Sequence, residues 1–128
     1  MIPTDSQDRK DSPVFSGFCK YFPKAMFAVA QLSKAGNDKH NPGEPLQWSR
    51  EKSADHGDCI IRHQLEAGTI DPSDGFYHDV KVAWRAMAQL EILLDASEGV
   101  EHLDFKGEPT GKFFSAIPAT RCTRNLNI

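Results

Sequence analysis

The sequence of 128 residues lacks the features that define several large classes of protein. It has three cysteines, Cys19, Cys59 and Cys122, and none forms a C-x-x-C pair, so they predict no zinc site and are expected to be reduced thiols. No run approaches the ~18 apolar residues of a membrane-spanning helix, and the N-terminus lacks the apolar core of a signal peptide. We therefore expect a cytoplasmic protein without a membrane partner.

The chain also lacks an excess of positive charge. Its 15 Lys and Arg residues face 18 Asp and Glu residues, which gives a net charge of −3 at pH 7. Because nucleic-acid binding depends largely on the neutralisation of phosphates by Lys and Arg, this balance argues against a nucleic-acid partner. The length fits one domain with its own core, to whose stability a partner subunit could add. A small-molecule partner is the expectation.

Irregular segments flank a helical middle. Residues 1–14 are polar with little to bury, which predicts a flexible N-terminal arm. Residues 98–128 keep no helical period, which predicts an extended C-terminal tail that could cross a partner subunit. Residues 15–97 form the predicted all-α domain. The aromatic segment of residues 14–22 is expected to pack against the helical core or a second subunit.

Three helices are predicted in the middle of the chain. The first covers residues 22–35 and stops at Gly36. The second is capped by Ser53 and ends at the turn of residues 68–75, and the third covers residues 76–96. The apolar surface of the third helix is wider than one neighbouring helix would cover. We therefore expect a helical bundle completed by oligomerisation, as a homodimer or a homotetramer.

Acids, imidazoles and cations concentrate on the second and third helices. Asp55 and Asp58 stand one turn apart, and Arg62 follows one turn later. This pattern is typical of an ordinary surface ion pair and also of a helix that binds Mg²⁺ or Mn²⁺. His63 and Glu66 form a second pair nearer the turn. The third helix carries a polar stripe that would face a phosphate or the acids of the second helix, composed of His78, Lys81, Arg85 and Gln89.

A loop rich in Gly, Pro and Asn, residues 36–48, joins the first two helices. It carries Lys39, His40 and Asn41 and ends at Trp48. Plain connection and substrate binding are both compatible with this composition. In the second case the cations would bind a phosphate and Trp48 would stack on a base, whereas the alternative for Trp48 is a core or interface aromatic.

A larger set of residues within positions 22–95 carries a family resemblance: the run from Gly36 to Pro45, Trp48, Arg50, Lys52, Ser53, Asp55, His56, Asp58, Cys59, Ile60, Arg62, His63, Asp71, Gly75, His78 and the run Ala83-Trp84-Arg85. With these residues the stretch resembles the phage dATP/dGTP diphosphohydrolase family, called MazZ or MazG-like. The resemblance implies an all-α enzyme that cuts purine deoxynucleoside triphosphates between the α and β phosphates with Mg²⁺ or Mn²⁺. It also implies a role in phage purine metabolism, where 2-aminoadenine replaces adenine in DNA.

The pattern departs from the wider MazG family, whose Glu-x-x-Glu and Glu-x-x-Asp pairs are absent from the sequence. Asp55-x-x-Asp58 is the best match to the first pair, and Asp79 is the best remnant of the second. In a simple hairpin these two groups would differ in height by roughly 9 Å at ~1.5 Å per residue. His63-x-x-Glu66 lies level with Asp79 and therefore stays open as an alternative first pair.

The resemblance, together with the residue types, assigns roles to named side chains. The predicted catalytic residues are Asp55, Asp58, Arg62, His63 and Asp79. The predicted metal ligands are Asp55, Asp58, Glu66, His78 and Asp79. The predicted substrate-binding residues are Lys39, His40, Asn41, Trp48, Arg50, Lys52, Lys81 and Arg85, whose cations would offset charge on the leaving pyrophosphate.

Two other functions stay open. His63, His78-Asp79 and Asp95 follow the H…HD…D order of HD-type phosphohydrolases, which would release tripolyphosphate from dATP. A catalytically silent nucleotide-binding or phage assembly protein could share the helical core, with its acids only solvated or paired. Metal-dependent turnover would separate these alternatives.

Overall fold

The computed structural model describes residues 3–113 of the chain. This part is mostly helical and contains α1 (Ser6–Lys10), α2 (Pro23–His40), α3 (His56–Gln64), α4 (His78–Ser97), and the strands β1 (Glu101–Leu103) and β2 (Pro109–Phe113). A π-helical turn covers Phe15–Cys19, and a 3-10 helix covers Arg50–Lys52. The chain divides into two compact units, residues 13–92 and residues 3–12 with 93–113. The predicted all-α class is therefore correct in outline, with a small sheet added.

Helix α2 is longer than predicted. The prediction that Gly36 ends it was wrong, because the helix continues to His40. Asn37, in the additional turn, is buried and binds the following loop: it donates to the carbonyl of Glu44 at 3.2 Å and accepts from the N–H of Gln47 at 3.3 Å. A glycine within a helix costs about 1 kcal/mol relative to alanine, an amount that two hydrogen bonds of about 1 kcal/mol each can offset.

Helix α3 begins later than predicted. Ser53 is not its cap, because Ser53 has an extended backbone (φ −128°, ψ 120°) that follows the 3-10 helix. The N-cap position is occupied by Asp55, whose side chain makes no capping hydrogen bond. Its carboxylate instead accepts from the thiol of Cys59 at 3.4 Å. The cap prediction failed because the extended residues after the 3-10 helix delay the start of α3 to His56.

The connection between α3 and α4 is a turn with its own backbone hydrogen bonds. The N–H of Asp71 donates to the carbonyl of Phe76 at 2.7 Å, and the N–H of His78 donates to the carbonyl of Thr69 at 3.0 Å. Gly75 has a φ of 80°, a conformation that residues with a Cβ rarely adopt. Together these features reverse the chain and place the first residue of α4 beside the end of α3.

The predicted terminal segments contain regular structure. Within the predicted arm, α1 is capped by the carboxylate of Asp5, which accepts from the N–H of Gln7 at 2.9 Å. The first part of the predicted tail is an antiparallel hairpin of β1 and β2. In its turn, the carboxylate of Asp104 accepts from the N–H groups of Lys106 and Glu108. The predicted extended tail therefore begins with two paired strands, and for residues 114–128 the prediction lies outside the described part.

Polar contacts connect the helices of the unit formed by residues 13–92. The indole N–H of Trp84 on α4 donates to Ser33 Oγ on α2 at 2.7 Å. Arg85 Nη1 on α4 lies 3.3 Å from His56 Nδ1 at the start of α3. Among residues 3–113, no helix combines the length and the apolar character needed to cross a membrane.

Few apolar side chains in the described residues are buried. Cys59 and Ala88 are the buried members of this class within residues 3–113, whereas large side chains on every long helix remain exposed. The aromatic segment before α2 was predicted to pack, yet Phe15 and Tyr21 are 68% and 70% exposed. These two rings therefore do not pack into the helical core. Packing against a second subunit, the other predicted arrangement, stays a prediction.

Candidate functional site

Two imidazoles meet where α3 ends and α4 begins. His63 lies in the last turn of α3, His78 is the first residue of α4, and their Nδ1 atoms are 2.9 Å apart. His78 is buried, and His63 is half-buried. Because two nitrogens at this distance share one proton, one imidazole donates and the other accepts. A predicted catalytic residue and a predicted metal ligand are thus in direct contact.

The charge and tautomer of this histidine pair follow from its neighbours. Burial lowers the pKa of His63, and the nearby cations Arg62 and Lys81 add to the shift, so its imidazole is neutral at pH 7. Glu66 Oε2 lies 3.4 Å from His78 Nε2. A carboxylate in this position favours the tautomer with the proton on Nε2, which leaves Nδ1 of His78 as an acceptor. The structure thus places the alternative pair, His63 and Glu66, beside His78.

Asp71 joins this cluster, although its position in the sequence predicted no role for it. One oxygen from its carboxylate and one nitrogen from each of His63 and His78 lie within 4.8 Å of one another. The backbone hydrogen bonds of the turn carry Asp71 to this place. The available signal was its position among the residues that carry the family resemblance. The spacing of predicted helices could not reveal it, because Asp71 belongs to neither helix.

Lys81 lies between two carboxylates of the turn. Its Nζ is 2.6 Å from Asp71 Oδ2 and 2.7 Å from Asp74 Oδ2. Burial lowers the pKa of Lys81, but its hydrogen bonds to these two acids outweigh that effect, so the pKa is raised overall. The hydrogen bond from Lys81, followed by those from Ser73, holds the pKa of Asp71 well below its usual range. Two carboxylates therefore share one cation, and Lys81 has protein partners at the place where a phosphate was predicted.

Two acids that were predicted as metal ligands, Asp58 and Asp79, do not belong to the cluster of His63, Asp71 and His78. Asp79 is exposed and its carboxylate accepts from the N–H of Gly68 at 2.7 Å. Asp58 is exposed in the first turn of α3, and in the described part of the chain it forms no ion pair with Arg62. Arg62 Nη2 instead lies 3.5 Å from the sulfur of Cys59. In residues 3–113, the cluster of three side chains that could hold a metal ion contains neither Asp55 nor Asp58, and their role as metal ligands stays a prediction.

Asp55 and Arg85 meet at the other end of α3. Arg85 Nη1 lies 3.7 Å from Asp55 Oδ1 and also contacts His56. The hydrogen bond from Cys59 lowers the pKa of Asp55 against the opposing effect of burial, and Arg85 contributes to the same decrease. This pairing of a predicted metal ligand with a predicted phosphate-binding cation is an ordinary ion pair in the structure.

Trp48, the predicted base-stacking residue, has two neighbours from the protein. Its ring packs edge to face against Trp84 with centroids 5.8 Å apart, and the guanidinium of Arg50 lies 4.4 Å from the ring centroid. Arg50 also approaches Glu91 at 4.0 Å. The contacts fit the interpretation of Trp48 as a packing residue, and stacking on a base stays a prediction.

The remaining predicted substrate residues lie elsewhere. Lys39 and His40 belong to the last turn of α2 and not to a loop, Asn41 follows at its C-cap, and Lys52 ends the 3-10 helix. The side chain of Asn41 donates to Asn37 Oδ1 at 3.4 Å. Within residues 3–113, none of these four forms a hydrogen bond or ion pair with the histidine pair.

No family model matches the sequence, and the comparisons with curated proteins and with solved structures found no match either.

Proposed function

We propose that the protein is a metal-dependent pyrophosphohydrolase that converts dGTP or dATP to the monophosphate and pyrophosphate. The observation that carries this proposal is the contact of His63 with His78, with Glu66 and Asp71 close to it. A divalent cation, when bound, would neutralise triphosphate oxygens and lower the pKa of a bound water. The family resemblance of residues 22–95 supports the choice of substrate and products.

The cations near the histidine pair would hold the triphosphate. Arg62 directly precedes His63, and its contact with the sulfur of Cys59 is a weak hydrogen bond that a phosphate oxygen could replace. Lys81 would reach a phosphate only by releasing Asp71 or Asp74. We therefore assign the first phosphate contact to Arg62 and a supporting electrostatic role to Lys81.

A second copy of the chain would complete the enzyme. The unit formed by residues 13–92 exposes Phe27 on α2, Leu65 after α3, and Met87 and Leu90 on α4. Burial of apolar area stabilises an interface by roughly 25 cal/mol per Å² of surface removed from water. A homodimer or homotetramer would cover these side chains. The proposed setting is the cytoplasm of a phage host, in purine metabolism for DNA that contains 2-aminoadenine.

The reaction products test this proposal. The full chain is incubated with each deoxynucleoside triphosphate and Mg²⁺ or Mn²⁺, and the phosphate species are identified by ³¹P NMR. Equal amounts of dGMP or dAMP and pyrophosphate would support the proposal. Absence of turnover with every purine triphosphate and cation would overturn it and favour a binding or assembly protein.

One observation favours a second candidate, an HD-type triphosphohydrolase. His63 and His78, two members of its H…HD…D order, are in contact. Asp79, a further member, does not join them, because its carboxylate accepts from the N–H of Gly68. Release of tripolyphosphate and deoxyadenosine from dATP would select this candidate over the pyrophosphohydrolase.

A further inference from the structure

The spacing of the histidine pair fits two ligands of one metal ion. At a metal–nitrogen distance of about 2.1 Å, two nitrogens are separated by about 3.0 Å at right angles and by about 3.4 Å at the tetrahedral angle. The Nδ1 atoms of His63 and His78 are 2.9 Å apart, so their separation already matches that of two ligands, and each ring would turn to aim its lone pair at the ion. The carboxylate of Asp71 supplies a third ligand within 4.8 Å.

The surroundings hold these side chains in orientations that suit ligation. Glu66 lies 3.4 Å from Nε2 of His78, the atom that would face away from the ion. Metal-binding histidines commonly donate their second N–H to a carboxylate, which orients the ring and makes it a stronger ligand. The buried position of His78 further restricts its ring. Glu66 is thus a positioning residue in this arrangement.

The charge balance of the turn also favours a cation. Lys81 contacts both Asp71 and Asp74. It can stay paired with Asp74 if the carboxylate of Asp71 turns toward an ion. The Oδ1 atom of Asp71 accepts from the N–H and the hydroxyl of Ser73, which fixes the plane of the carboxylate. These two hydrogen bonds use both lone pairs of Oδ1, whereas Oδ2, which accepts from Lys81, keeps one lone pair that could bind an ion.

We propose that His63, Asp71 and His78 form a site for a borderline divalent ion, such as Co²⁺ or Zn²⁺, in preference to Mg²⁺. Imidazole nitrogen suits these transition metals, whereas Mg²⁺ prefers an environment of oxygen ligands. Three protein ligands leave coordination positions for water or phosphate oxygens. The inference deepens the proposed function, on which its catalytic role depends, but ion binding can be measured without turnover.

Titration with Co²⁺ tests the site in the full chain after removal of metals with a chelator. Calorimetry should show one Co²⁺ per chain, and visible absorption should report nitrogen ligation. The variants His63→Gln and Asp71→Asn should each lower the affinity by about 100-fold, and Glu66→Gln by about tenfold. Millimolar Mg²⁺ should not displace the ion.

Matched controls are His102→Gln and Asp38→Asn, which remove the same groups outside this cluster and should leave Co²⁺ affinity unchanged. Circular dichroism verifies that each variant folds. If His63→Gln does not fold, Asp71→Asn decides, since Asp71 lies in the turn and outside the helices. Unchanged Co²⁺ affinity in a folded Asp71→Asn variant would overturn the site, as would equal affinity for Mg²⁺.

The outcomes also separate this inference from the proposed function. Loss of Co²⁺ binding in the variants, combined with a wild-type protein that hydrolyses no purine triphosphate, would support the site and overturn the function. Unchanged Co²⁺ affinity in both folded variants, combined with pyrophosphate release by the wild-type protein, would overturn the site and support the function.

Discussion

His63 Nδ1 lies 2.9 Å from His78 Nδ1, although fifteen residues separate the two in the chain. The contact depends on the turn, because the N–H of His78 binds the carbonyl of Thr69 and so fixes the start of α4 beside the end of α3. It places the candidate chemistry at the turn and away from Asp55 and Asp58.

Substitutions of Glu66 and Asp58 should have different effects on turnover. Glu66→Gln removes the carboxylate beside His78 Nε2 and should lower kcat/KM for dGTP by about tenfold or more. Asp58→Asn changes an exposed group that the proposed function does not use, and it should leave turnover near normal and stability within about 0.5 kcal/mol. Steady-state kinetics and urea unfolding measure both effects. An inactive Asp58→Asn variant together with an active Glu66→Gln variant would instead support Asp55 and Asp58 as the metal ligands.

The long helices could be predicted from the sequence because their apolar periodicity and breakers are local signals. α4 begins and ends within two residues of its predicted bounds. The continuation of α2 through Gly36 could not be predicted, since Asn37 binds backbone groups of a loop up to ten residues away. The hairpin was missed because β2, Pro109–Phe113, contains Pro and Gly, which are rare in strands.

The candidate site was predictable only in part, for a related physical reason. His63, Glu66 and His78 were candidates because helical spacing places them near the same turn. Asp71 required the path of the turn, which depends on hydrogen bonds between backbone groups and on the left-handed conformation of Gly75. Such a path is set by the backbone as a whole and leaves only a general signal of turn residues in the sequence.

The stability of the metal-free protein should depend on pH through Lys81 and its two acids. The pKa values of Asp71 and Asp74 are lowered in the folded protein from the usual 3.8, so their contribution is present above that pH and is lost as pH falls. The pKa of Lys81 is raised from 10.5, so its contribution is lost only as pH rises above that value. Thermal unfolding with a chelator present should show both losses.

The variant Lys81→Met tests the assignment of this pH dependence. It leaves two neighbouring carboxylates without their shared cation, so Tm at pH 7 should fall. Protonation of the acids relieves their repulsion, and the difference from wild type should therefore shrink toward pH 3. Lys34→Met, which removes the exposed partner of Asp38, is the control and should have little effect at either pH. An equal Tm difference for Lys81→Met at both values would contradict the assignment.

The full chain should form a dimer or a tetramer in solution. Multi-angle light scattering at micromolar concentration measures the mass against 14.3 kDa for one chain. Met87→Glu or Leu90→Glu would place a charge on the exposed apolar surface of α4 and should increase the monomer fraction. Gln89→Glu adds the same charge at an exposed polar position of that helix and should leave the mass unchanged. A wild-type monomer would refute the proposed second copy.

Two glycine substitutions should change stability in opposite directions for conformational reasons alone. At both Gly75 and Gly36, an added Cβ would meet no other atom within 4 Å. Gly75 has a φ of 80°, so Gly75→Ala should destabilise the protein by about 1–2 kcal/mol and weaken Co²⁺ binding through the turn. Gly36 lies inside α2, so Gly36→Ala should stabilise the protein by about 0.5–1 kcal/mol without an effect on Co²⁺. Urea unfolding checks both signs, and a stabilising Gly75→Ala would show that the turn does not need its left-handed residue.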